Sequence, residues 1–144
     1  LEFVVYDAAL LKKFGVSKGD VAYLSEVGLP RQAAPFLDFS AYSETDLRDI
    51  YRDTPSNIFP LGGNGSGDLL GIDVSTANVI YLNHDKNNER VFINSSVATF
   101  VETLCLYQEY MTSNNDAQFL SSLAKIDQPA SADGGMWRAE LRSA

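Results

Sequence analysis

Carboxylates are the most abundant side chains in this 144-residue chain that could do chemistry. Five of them fall in one short segment: Asp38, Glu44, Asp46, Asp49 and Asp53. Two facing carboxylates could act as the general acid and base of a hydrolase. Arg48 and Arg52 interleave with them, however, and helical spacing predicts ion pairs of Arg48 with Glu44 and of Arg52 with Asp49. The segment indicates either a solvated helix face or an acidic surface for a basic partner.

His84 and Cys105 are the only histidine and the only cysteine, which limits nucleophilic and metal chemistry. A Ser-His-Asp triad or a two-histidine metal site would depend on His84, whose polar turn predicts a solvated surface residue. Cys105 lies beside Leu104 in a helical pattern, where a small buried thiol is expected. One cysteine excludes an intrachain disulfide and is compatible with the cytoplasm. We expect neither a metal nor a cofactor.

The glycine-rich stretch 62–67 reads Gly-Gly-Asn-Gly-Ser-Gly and could in principle surround a phosphate with backbone amides. Phosphate loops lead into a helix and carry a Gly-Lys-Ser or Gly-Lys-Thr ending. This stretch leads into a strand pattern, and the charge of Asp68 would repel a phosphate. It therefore predicts a tight connection between strands that uses positive φ angles.

The segment 73–78 places side-chain oxygens at alternate positions, as the start of a calcium loop does. It lacks the glycine at the sixth position and the glutamate at the twelfth that such a loop needs. A hairpin turn is the better interpretation.

Capping residues and hydrophobic spacing predict short elements in the amino-terminal half. Three helices are expected to begin after the N-cap residues Asp7, Ser17 and Ser43. Gly15 and Gly28 suit the left-handed ends of the first two. Strands are expected at 36–39 and 58–61, with Pro60 placing the second at a strand end or a sheet edge.

The second half predicts an antiparallel meander followed by helices. Its strands are expected at 69–74, 79–82 and 90–93, and the alternation in the first is that of a half-buried strand. Asn94, Ser95 and Ser96 supply N-cap oxygens for the strongest helix pattern, whose apolar stripe includes Phe100, Leu104 and Met111. A helix ending at Ile126, a loop over 128–135 and a last helical turn follow. We expect an α+β fold, with one antiparallel sheet flanked by helices, in a single domain over 1–144.

Composition narrows the function classes. Nineteen acidic against eleven basic residues give a formal charge of -8, which repels a phosphate backbone and attracts a cationic partner. We therefore expect no nucleic-acid ligand. No run reaches the roughly 18 apolar residues needed to cross a bilayer, so no membrane association is expected either. No charged-then-apolar leader is visible at the start of the chain.

The motifs between Leu61 and Tyr107 follow a specific order. Leu61-Gly62-x-x-Gly65-x-Gly67-Asp68-x-x-x-Ile72-Asp73 precedes the 79–82 strand, and Val91-Phe92-Ile93-Asn94-Ser95-Ser96 leads into the long helix. This order resembles the SUKH superfamily, most closely its fourth subfamily. The matching positions are fold positions: Gly62, Gly65, Gly67, Asp68, Asp73, Asn94, Ser95 and Phe100.

The resemblance implies an α+β fold and a non-enzymatic role. Many members of the superfamily are bacterial immunity proteins that bind and neutralise a cognate polymorphic toxin, often a nuclease or a deaminase. No shared catalytic residues exist to carry over, and the five carboxylates of 38–53 would meet a cationic groove of the toxin. Two alternatives stay open: a regulatory protein-binding scaffold of the same fold, and a small hydrolase using Asp38 or Asp68 near Tyr81.

Overall fold

A six-stranded antiparallel sheet forms the centre of the computed structural model, which describes residues 2–143. The strands of the chain are β1 (Phe3–Val4), β2 (Leu29–Pro30), β3 (Gln32–Ala33), β4 (Leu37–Phe39), β5 (Ile58–Asn64), β6 (Leu69–Asp73), β7 (Asn78–Asn83) and β8 (Glu89–Asn94). The helices are α1 (Ala8–Lys13), α2 (Lys18–Glu26), α3 (Glu44–Ile50), α4 (Val97–Ser113), α5 (Asp116–Ile126) and α6 (Met136–Ser143). Strands β3 to β8 pair in sequence order, and β1 pairs with β2 in a separate ribbon. The predicted α+β meander is confirmed.

The three predicted helix starts are confirmed, and a side-chain cap hydrogen bond forms at two of them. The Asp7 carboxylate accepts a hydrogen bond from the Leu10 N–H at 3.0 Å. Ser43 and Asp46 form a reciprocal capping box at the start of α3. Ser17 is the N-cap residue of α2, but its side chain makes no cap hydrogen bond.

The buried face of α4 differs from the predicted stripe. The residues of α4 that face the core are Val97, Phe100, Thr103, Leu104, Tyr107 and Tyr110. Cys105 comes directly after buried Leu104, and Met111 directly after buried Tyr110. Because successive residues of a helix are turned by about 100°, both lie on the outer face. The prediction of a buried Cys105 is wrong, since its thiol is exposed, and Met111 is 52% exposed.

The strand pattern of β6 is also more buried than its alternation predicts. Leu70 and Ile72 pack into the main core under the helices, and Leu69 packs on a smaller cluster made by Ile58, Ile80 and Leu82. Successive side chains of a strand point to opposite faces, so both faces of β6 are covered. The prediction of a half-buried strand is therefore wrong.

Glycines let the central strands approach one another. A Cβ at Gly71 would lie 2.5 Å from the Phe59 carbonyl oxygen, and one at Gly62 would collide with the Asp38 carbonyl oxygen of β4. Within the predicted glycine loop, only Gly67 has a positive φ, of 85°. Gly62 is instead a strand residue of β5, so the prediction that the whole stretch is a turn is wrong.

Pro60 lies inside β5 and not at a strand end. The register of β5 against β6 shifts between Pro60 and Gly62, and β4 pairs with β5 only from Gly62 onward. Proline is tolerated in a sheet where the ladder is interrupted or unpaired on its nitrogen side.

A buried carboxylate, Asp127 at the end of α5, binds the end of β8 and the first turn of α4. Its Oδ2 accepts from the Ser95 N–H at 2.7 Å and from Asn94 Nδ2 at 3.0 Å, and its Oδ1 accepts from the Ser95 hydroxyl at 2.6 Å. The Thr99 hydroxyl of α4 also donates to Oδ2 at 3.0 Å. Burial alone would raise the pKa of Asp127, but these hydrogen bonds outweigh it and hold the pKa below its usual value.

Of the three residues predicted to cap α4, only Ser96 does so. Ser96 is the N-cap residue and forms a capping box with Thr99. Asn94 and Ser95 instead donate hydrogen bonds to Asp127, and the side-chain Oδ1 of Asn94 accepts from Trp137 Nε1 of α6 at 2.9 Å. The predicted loop after α5 contains a 3-10 turn, Gln128–Ser131, with Ala130 buried against the core. The last helical turn is confirmed as α6, with Trp137 and Leu141 buried.

Asp68 locks the β5–β6 turn to the turn after β7. Its Oδ1 accepts from the His84 N–H at 3.0 Å and lies 2.5 Å from His84 Nδ1, while its Oδ2 accepts from Asn64 Nδ2 at 3.1 Å. His84 is exposed, as predicted, but it is paired as well as solvated. The hydrogen bond to Asp68 raises the pKa of His84. Burial opposes the lowered pKa of Asp68, and the hydrogen bonds from His84 and Asn64 outweigh burial.

Asp73 ends β6 in a hairpin turn, as predicted for 73–78. Its Oδ1 accepts from the N–H of Ser75 at 3.0 Å and from the Ser75 hydroxyl at 2.6 Å. Its Oδ2 lies 2.5 Å from Arg90 Nη1 of β8. The oxygens of the calcium-like segment are thus used to hold the hairpin.

We predict that D127N lowers the free energy of unfolding by about 2–4 kcal/mol, because the amide cannot accept all of the donated hydrogen bonds. The folded-state pKa of Asp127 is lowered, so its contribution is complete above about pH 5 and is lost as pH falls through the folded value. Urea unfolding between pH 3 and 7 measures both effects, and D127N should flatten the acid limb. E109Q, on the exposed surface of α4, should change stability by less than about 0.5 kcal/mol.

We predict that His84 titrates above the ordinary histidine value of about 6.5. Because the folded-state pKa of His84 is raised, the stabilisation that comes from its protonation beside Asp68 is complete below the unfolded value of about 6.5. It is lost as pH rises through the folded pKa. Because there is one histidine, a ¹H–¹⁵N titration of its ring is unambiguous. D68N should return the pKa toward 6.5, whereas D85N, which removes an exposed carboxylate 3.3 Å from Nε2, should change it less. Equal titration of wild type and D68N would contradict the assignment.

Candidate partner-binding surface

The predicted acidic residues of α3 are mostly engaged within the chain. Arg48 pairs with Glu44 at 3.1 Å and Arg52 with Asp49 at 3.3 Å, which confirms both predicted ion pairs. Lys13 of α1 adds a contact to Glu44 at 3.2 Å. The hydrogen bonds from Lys13 and then Arg48 lower the pKa of Glu44. Such exposed pairs leave a surface of mixed charge.

Asp38 and Asp46 both lie near Tyr42. Burial raises the pKa of Tyr42, and the nearby charges of Asp46 and Asp38 raise it further. Asp46 also accepts from the Ser43 N–H at 3.2 Å, and Asp38 accepts from Gln32 Nε2 at 3.2 Å. Asp53 lies just beyond α3, where its backbone carbonyl accepts from Asn88. The carboxylates of β4 and α3 thus have separate local partners, and Asp38 lies on β4 whereas Glu44, Asp46 and Asp49 lie on α3.

An open groove of about 770 Å³ lies between the β3–β4 turn, α4 and α6. Its apolar lining includes Phe36, Leu37 and Met111. Asp38 and Glu140 give it acidic groups, and none of its lining residues is Lys or Arg. Of the predicted partner-binding residues, only Asp38 lines it. This Phe36 groove was not predicted from the sequence, because its parts come from segments far apart in the chain.

The strand predicted at 36–39 begins one residue later, at Leu37, so the prediction that Phe36 is a strand residue is wrong. Phe36 occupies the β3–β4 turn with a φ of 61° and is 81% exposed. A left-handed conformation is unusual for a bulky residue, and so is such exposure for an aromatic ring. The one sequence signal for a turn was Pro35, directly before it.

A second pocket, of about 590 Å³, adjoins the groove and is lined by Asp68, Tyr81 and Glu140. Burial raises the pKa of Glu140, whereas that of Asp68 is lowered, and opposed shifts in one pocket are typical of an acid–base pair. The Asp68 carboxylate is only 7% exposed, however, and both of its oxygens accept hydrogen bonds from Asn64 and His84. Asp68 therefore holds two turns together. Asp38, the other carboxylate of the hydrolase hypothesis, lines the Phe36 groove and not this pocket.

The described residues form neither a metal-binding cluster nor a membrane-spanning helix. Among residues 2–143, no group of three or more His, Cys, Asp or Glu side chains is arranged to hold a metal ion. None of the helices in the described part of the chain has the length and apolar character of a membrane span.

The comparison with protein families agrees with the order of motifs in the sequence. The family model for SUKH-4 immunity proteins matches residues 2–143. The search of curated proteins and the search of solved structures gave no match. Since the family match spans the meander and all of the helices, the chain belongs to the SUKH-4 immunity protein family.

Proposed function

We propose that this chain is an immunity protein that binds and neutralises a cognate protein toxin in the cytoplasm of the bacterium that produces both. The observation that carries the proposal is the family match over residues 2–143. Neutralisation by contact needs no catalytic group in the immunity protein, since a bound protein can block a substrate groove by occupying it. The toxin is expected to be an enzyme such as a nuclease or a deaminase.

The charge of the chain supports a toxin that acts on nucleic acid. Enzymes of that kind bind a phosphate backbone with a cationic groove. A protein with a formal charge of -8 is attracted to such a groove and accelerates encounter with it. Competition for the groove would exclude the nucleic acid and stop the reaction.

The carboxylates Asp38, Glu44, Asp46, Asp49 and Asp53 are the acidic part of the proposed contact. Glu44 and Asp46 are held by Lys13, Arg48 and the α3 capping box, so they serve the fold first. Asp49 and Asp53 are exposed and can change without removing a cap. Charges at the exposed edge of an interface affect the association rate more than the dissociation rate.

We predict that deleting the gene for this chain causes killing in dense culture and that suppressor mutations map to a toxin gene. The physical reason is that free toxin reaches its substrate once its protein inhibitor is absent. Colony counts and sequencing of suppressors measure this, and co-expression of that toxin with this chain in a heterologous host should restore growth. Normal growth of the deletion strain together with no protection in the heterologous host would reject the proposal and favour a regulatory scaffold.

We predict that D49K/D53K slows association with the purified toxin by about tenfold at low salt and leaves the dissociation rate nearly unchanged. Surface plasmon resonance at two salt concentrations measures both rates. E26K/E102K, on α2 and α4, makes the same change in net charge and is the matched control. If the two double variants slow association equally, only net charge matters and the α3 carboxylates are not at the interface.

A further inference from the structure

Phe36 differs from the other exposed apolar residues of the chain. Phe36 is 81% exposed, whereas the others are each about half exposed: Phe3 at 46%, Val5 at 52%, Val27 at 48% and Met111 at 52%. Its φ of 61° adds backbone strain to the exposure. A residue that is unfavourable in both respects contributes little to folding of the free chain, so its position points to a role in binding.

The turn is built so that Phe36 can stand where it does. A Cβ at Gly65 would lie 3.1 Å from the Phe36 Cβ, so a side chain there would crowd it. Gly65 of the β5–β6 turn and Phe36 line the same groove. The neighbouring turn thereby leaves room for Phe36 in the groove.

The Phe36 groove has an apolar lining and a volume that suit an interface built around an aromatic residue. Met111 lines it and is 52% exposed, and a flexible thioether adapts to a partner surface. The volume of about 770 Å³ is that of a cleft able to receive several side chains. Interfaces concentrate their binding energy on such aromatic residues near the centre of the contact.

The charge of the lining selects the chemistry of the occupant. Asp38 and Glu140 are acidic, and the lining contains no Lys or Arg. Burial raises the pKa of Glu140, so a cation from the partner would stabilise its charged form. A second copy of this chain would bring another formal charge of -8 to an acidic groove, which opposes self-association.

We propose that Phe36 is the anchor of the toxin contact and that the Phe36 groove receives an apolar segment of the toxin flanked by Lys or Arg side chains. The inference rests on the proposed function and adds to it the binding surface and the kind of segment that fills it. In this arrangement the α3 carboxylates accelerate encounter, and Phe36 and Met111 slow dissociation.

Binding of F36A to the purified toxin tests the anchor. We expect the Kd of F36A to rise about 30-fold or more, mainly through faster dissociation, because the buried aromatic contact is lost. V27A, another exposed apolar residue outside the groove, should stay within about twofold of wild type. If wild type neutralises the toxin and F36A does so equally well, the anchor is wrong and the proposed function stands. If wild type neither binds the toxin nor protects against it, the proposed function fails.

The charge of the occupant is tested by D38N/E140Q. Its affinity should fall about tenfold at low salt, and the salt dependence of the Kd should become flatter, because the flanking cations lose their partners. An unchanged salt dependence would contradict a cationic segment.

A thermal scan and sedimentation test the free chain without any toxin. F36G should melt within about 3 °C of wild type, because an exposed ring at a left-handed position adds little to folding. A much larger fall in Tm would show that Phe36 supports the fold and would overturn the inference. Sedimentation velocity should show a monomer for wild type and for F36G. A wild-type dimer that the F36G substitution dissociates would assign the groove to self-association instead.

Discussion

The hydrogen bonds to Asp127 fix how the helices lie on the sheet. Apolar contacts such as the edge-on packing of Phe39 on Phe100, with ring centroids 5.9 Å apart, favour burial but are not directional. A buried carboxylate is directional, because it costs free energy unless each oxygen meets donors at the right geometry. Asp127 meets them only when the end of β8, the first turn of α4 and the end of α5 come together. Asn94 extends the constraint to α6 through Trp137.

Close approach of the strands fixes the position of the surface turns relative to the core. Gly71 leaves no room for a side chain between β5 and β6, and Gly62 leaves none between β5 and β4. Because β4 is held against β5 by that approach, the turn that precedes it has a defined position. The same turn carries Phe36, which therefore stands beside Met111 of α4 in one groove. The core thus determines the geometry of the surface that we assign to binding.

Sequence reasoning succeeded where the cause is local and failed where a distant residue competes. The capping box of α3, the meander and the pairs of Arg48 and Arg52 depend on residues a few positions apart, and all were predicted. Asn94 and Ser95 were assigned to a cap because their partner, Asp127, lies more than thirty residues away. An acidic residue at the carboxyl end of α5 opposes the helix dipole, which was the one available signal that Asp127 has another role. The Phe36 groove joins a turn and two helices, so no local pattern indicates it.

The residues that hold the helices and the central strands together are not among those assigned to recognition. Asp127, Asn94 and Gly71 are buried, and their polar atoms or close contacts are used within the chain. Phe36 and Asp49 are exposed and lie on a turn and on the outer side of a helix. Substitution of Phe36 or Asp49 changes what the surface can bind and leaves the directional contacts of the core in place. A scaffold of this kind can vary the surface at Phe36 and Asp49 because neither residue takes part in the hydrogen bonds of Asp127.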